Sequence, residues 1–67
     1  MLNKSDKAKV ILEALWNMKQ IPTDEQIKNN RAMRGQFNGM MHTPLDLLNT
    51  EYDNAVKILN DRVRANK

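Results

Sequence analysis

The chain contains no cysteine. Disulfides and thiolate metal sites are therefore excluded, and the composition fits a reducing compartment. Its one histidine, His42, cannot make a typical zinc site alone. Aromatic residues are also scarce. Trp16, Phe37 and Tyr52 are the whole set, too far apart in sequence to resemble a base-stacking platform. Each is expected to seal part of a core, with the Trp N–H and the Tyr hydroxyl reaching water. Long apolar runs are missing as well. Val10–Leu12 and Ala14–Trp16 are the longest, far short of a membrane span. Glu13 between them interrupts any signal-peptide core. These absences predict a cytoplasmic chain with no membrane partner and no cofactor.

What the chain does have is limited by its length. Its 67 residues make one small domain, residues 1–67. A domain of this size buries only about 60% of its unfolded surface, while ordering costs roughly 1.5 kcal/mol per residue. With disulfides and metal excluded, tight helix packing or completion by a second copy is left. The apolar fraction of 40% suffices for a small core, so homo-oligomerisation enters as an expectation. The net charge of +3 and pI of about 9.5 are mildly basic, but Lys and Arg are spread along the chain among acids. Dedicated nucleic-acid binders concentrate such charge on one face.

Periodicity predicts an all-α fold: a small three-helix domain, arranged as a bundle or as a helical hairpin plus a third helix. The most self-consistent stretch is Thr43 to Arg64. Thr43 suits an N-cap and Pro44 the first helical position. Leu45, Leu48, Tyr52, Ala55, Val56, Leu59 and Val63 then recur at spacings of three and four, one apolar stripe along a helix. Asp46, Glu51 and Asp53 come early and Arg62, Arg64 and Lys67 late, in accord with the helix dipole. Thr50 to Asp53 has the spacing of a second start signal, but the stripe keeps its phase through it, so one helix over 44–65 is expected. The first helix, over 4–19, opens on Asn3 or Ser5 as cap with Asp6 in its first turn. It carries Ala8, Ile11, Leu12, Leu15 and Met18 on one face. Lys4, Lys7 and Lys9 are read as facing away, and Val10 and Ile58 lie off the main stripes of their helices. Pro22 ends that helix, and Thr23 with Gln26 forms a capping box. A second helix therefore runs from Asp24 to about Arg34, with Met41 as its farthest end. Asn29 and Asn30 weaken its interior.

No arrangement of residues carries catalytic chemistry. His42 has no partner that sequence can identify. Asp24, Glu25, Glu51 and Asp53 sit in positions where acids stabilise helix starts, and no nucleophile stands with a base. The expected function is a small non-enzymatic protein–protein interaction module, a regulator, adaptor or assembly factor. The segment singled out for a partner is Lys28, Arg31, Arg34, Phe37, Met40 and Met41, a basic row followed by adaptable Met and aromatic side chains. The alternative is nucleic-acid binding through Lys28, Arg31 and Arg34. No acid occurs from Lys28 to His42. Asp24-Glu25 at the leading end of the same helix would repel phosphates, and this weighs against the alternative.

Overall fold

The computed structural model describes residues 2–65; Lys67, read above as part of the late positive charge, lies outside the described residues. The fold is all-α, with no strand among the described residues. It consists of four helices: α1 (Lys4–Leu15), α2 (Asp24–Asn29), α3 (Arg31–Met41) and α4 (Leu45–Ala65).

Each boundary has a local cause. Asn3 caps α1 by accepting from the Asp6 amide at 2.8 Å. The helix then ends at Leu15, one turn before the expected Lys19. Asn17 adopts a left-handed φ of 54°. Its N–H donates to the Ala14 carbonyl, and the Met18 N–H donates to the Glu13 carbonyl at 2.9 Å. This is the paired-bond Schellman stop, with asparagine where glycine is commonest. Pro22 is not the terminator. Its side chain is instead among the most buried in the molecule.

The expected second helix is two helices. Asn30 leaves the helical region, at φ −112° and ψ 108°. It ends α2 through a bond from its N–H to the Ile27 carbonyl, and it starts α3 by accepting from the Met33 amide at 3.1 Å. A short amide side chain satisfies the free amides of a helix start better than it serves a helix interior. The Thr23–Gln26 capping box at the start of α2 is present with both bonds made.

Thr43 does not cap α4. Its hydroxyl donates backwards to the Gly39 carbonyl at 2.9 Å, closing α3, and the first bond of α4 reaches the Pro44 carbonyl. Thr50 donates to the Asp46 carbonyl one turn back, so the helix passes through Asn49-Thr50 unbroken.

The core comprises Ala8, Ile11 and Leu12 of α1, Ile27 of α2, Met33 and Met40 of α3, and Leu48 and Ala55 of α4. Leu12 and Leu48 are fully buried. Tyr52 and Leu59 are half-buried. The hub is α1, which packs on both α3 and α4, while α2 packs on α3. Lys7 bonds Asn49 and Arg62 bonds the Met18 carbonyl, so α1 and α4 run in the same direction. Lys4 bonds the Met41 carbonyl and Trp16 bonds Gln36, so α3 runs opposite to α1.

The lysines of α1 are thus not turned away from the fold, as periodicity suggests. Lys4 donates to the last carbonyl of α3 at 2.8 Å. Lys7 donates to Asn49 at 2.6 Å and stands 5.7 Å from the centre of the Tyr52 ring. Lys9 pairs with Asp24 of α2 at 2.6 Å. Long flexible stems let charges seated off the apolar face reach back to neighbouring helices. Val10, also off the stripe, packs against the core. Leu15, expected inside, is 61% exposed, because the helix stops there and no neighbour covers this side chain, although Leu12 in the same turn is fully buried.

Candidate functional site

Two surfaces stand out. The first is a groove of about 400 Å³ over the C-terminal half of α1, lined by residues of α1, α3 and α4. Ile11, Ala14 and Leu15 come from α1, Met40 from α3, and Ala55 and Ile58 from α4, with Glu51 and Asn54 supplying the polar atoms. Ile58 is 50% exposed, so two large aliphatic side chains, Leu15 and Ile58, meet water in one concavity. Leu47, also exposed, continues the row along α4, because 47, 51, 54 and 58 share one helix face. The groove runs beside the C-terminal half of α1, where residues 51–58 of α4 lie level with residues 11–15.

The second surface is the outward side of α3. Lys28, Arg31 and Arg34 are all exposed. The first turn of α3 holds no acid. The guanidinium of Arg34 lies 3.5 Å from the Lys28 backbone carbonyl, a contact across the break at Asn30. Asp24 and Glu25 belong to α2, and Asp24 faces the Lys9 ammonium. The break therefore separates the acids from Arg31 and Arg34, while Lys28 stays on α2 with them.

The other residues singled out from sequence lie elsewhere. Met40 is in the core and reaches the groove only at its edge. Phe37 and Met41 are partly buried against the core. They fill space between helices and do not form an open Met-rich surface. Leu15 is the groove residue that periodicity missed as surface. Leu15 follows the stripe of α1 in phase, and only the early end of the helix uncovers it. Ile58 lies off the stripe of α4, and that signal was readable.

His42 is exposed at the end of α3. Among the described residues no group of three or more His, Asp or Glu side chains is placed to hold a metal ion. No helix among the described residues is long and apolar enough to cross a membrane. Comparison of the chain with protein families, with curated proteins and with solved structures finds no match.

Proposed function

We propose that this protein is a small non-enzymatic protein–protein interaction module of the cytoplasm, acting as a regulator, adaptor or assembly factor through the groove over α1. The observation that carries the reading is the pairing of exposed Leu15 and Ile58 across a concavity with an apolar floor. Interfaces bind through apolar side chains seated in pockets and surrounded by a polar rim. Here Ile11 and Met40 form the floor and Glu51 and Asn54 the rim. A second copy of the chain is one partner that would cover the same face.

The experiment is affinity capture from the native cell with the intact chain and with Leu15→Asp and Ile58→Asp variants, with and without nuclease, read by mass spectrometry. Both side chains are exposed, so the variants keep their helix content by circular dichroism. The expected result is a protein partner retained after nuclease treatment and lost in both variants. Sedimentation equilibrium at micromolar concentration tests the self-association form, with a dimer expected for the parent chain and a monomer for the variants. A partner held equally by parent and variants would place binding elsewhere.

A further inference from the structure

We infer that the outward face of α3 is a docking face for the phosphodiester backbone of nucleic acid, separate from the groove over α1. Arg31, Arg34 and Asn38 are spaced by three and four, so they share one face of the helix, and all three are exposed. Lys28, the last-turn cation of α2, is also exposed, and Arg34 lies against its backbone carbonyl. The segment from Lys28 to His42 contains no acid. Arg31 makes no ion pair or hydrogen bond among the described residues, and a cation in the first turn of a helix opposes the helix dipole. Stability therefore gives no reason for Arg31 to be basic.

The surroundings select the partner. None of the large apolar side chains exposed on this molecule belongs to α3: they are Leu2, Leu15, Trp16 and Ile21 before it, and Leu45, Leu47, Ile58 and Val63 after it. A protein partner would find no anchor of the kind that dominates protein interfaces. Guanidinium, ammonium and amide groups are what contacts to phosphate and sugar use. Gly35 and Gly39 have open space where a Cβ would stand, so a bulky backbone can lie close along the helix. The acids at the leading end stand on a different helix from the arginines: the helix bearing Arg31 and Arg34 begins after Asn30, Asp24 pairs with Lys9, and Glu25 stays with Lys28 on α2.

The test is fluorescence anisotropy of the full chain with a labelled duplex DNA of about twenty base pairs and mixed sequence, titrated between 50 and 200 mM salt. Three phosphate contacts predict a loss of affinity of about 40-fold over that range. The Arg31→Gln/Arg34→Gln variant should lose only about 3- to 4-fold. Arg31→Gln alone, which removes no contact within the fold, should lose about 12-fold. Lys57→Gln, which removes an exposed cation of α4 outside both surfaces, should match the parent chain, which separates this face from the overall charge. Circular dichroism checks that every variant keeps the parent's helix content. Two results would overturn the inference: no duplex binding at 50 mM salt, or an unchanged salt dependence in the double variant. A polyglutamate peptide run in parallel gives a third. If it binds more tightly than the duplex and loses binding in the same variant, the face serves an acidic protein.

Discussion

Asn17 shows how one residue sets the reach of a helix. Its φ of 54° is a conformation that costs most L-residues about 1–2 kcal/mol and glycine almost nothing. Asn17→Gly is therefore expected to raise stability by up to about 1 kcal/mol, and Asn17→Val to lower it by at least as much. Urea denaturation midpoints check both, with an unchanged slope as the sign that the fold is intact. The two glycines of α3 are the opposite case. Neither has a positive φ, and neither has any atom within 4 Å of an added Cβ. Gly35→Ala and Gly39→Ala should each stabilise the domain by about 0.5–1 kcal/mol, since alanine is the better helix former and nothing has to move. A loss of stability in either would mean that the α3 backbone is packed against something in solution, such as a second copy.

At the scale of elements, the helices are joined through their ends as much as through their faces. Lys4 meets the last carbonyl of α3, Arg62 meets the carbonyl of Met18 just beyond α1, and Lys9 meets an acid in the first turn of α2. Lys4 and Arg62 have the sign that the C-terminal ends they meet prefer, and at the start of α2 it is Asp24 that suits the helix end, with Lys9 pairing to that acid. The Lys9–Asp24 pair should add little, because Asp24 is 86% exposed and surface pairs are worth about 0–1 kcal/mol. Arg62 is different. One of its guanidinium nitrogens donates to Met18, and the other is buried without a partner. Arg62→Met keeps the stem that packs between α1 and α4 and removes the unpartnered buried donor. It should change stability by less than about 1.5 kcal/mol, since the lost bond and the removed orphan offset each other. Arg62→Ala, which also loses the stem, should be the more destabilising. Asn30→Ala removes the cap of α3 and is expected to cost about 1 kcal/mol. Thermal unfolding followed by circular dichroism measures all three, and about 4–8 °C per kcal/mol is expected for a domain of this size.

At the scale of the whole molecule, few side chains are fully enclosed. Leu12 of α1 and Leu48 of α4 are both at 0% exposure in the core. Truncating either to alanine should cost about 2–5 kcal/mol, a large part of the few kcal/mol available to a domain this small. Leu59→Ala should cost less than Leu48→Ala, because Leu59 is only half-buried. A larger loss at Leu59 would show that α4 gains cover in solution that the isolated chain lacks. Sedimentation at the same concentration would then reveal a dimer.

Local chemistry determined much of this protein. The helical class, the capping box at Thr23, the cap at Asn3, the unbroken α4 and the core positions Ala8, Ile11, Leu12, Leu48 and Ala55 follow from periodicity and side-chain hydrogen bonding, which depend on residues at most a few positions apart. The split at Asn30 was half legible, since Asn29-Asn30 read as poor helix interior. Only the bond to Met33 fixed which asparagine became the cap. Tertiary structure decided the rest. Whether Thr43 bonds forward or backward depends on the path of the turn from α3 to α4. Whether Leu15 is core or surface depends on where a left-handed asparagine stops α1. That the lysines of α1 tie helices together, and that the acids of α2 separate from the arginines of α3, depends on contacts between residues far apart in sequence. Periodicity says which side of a helix is apolar, but only packing says how far along that side a neighbour extends. Both candidate surfaces, the groove over α1 and the acid-free face of α3, lie where that cover ends.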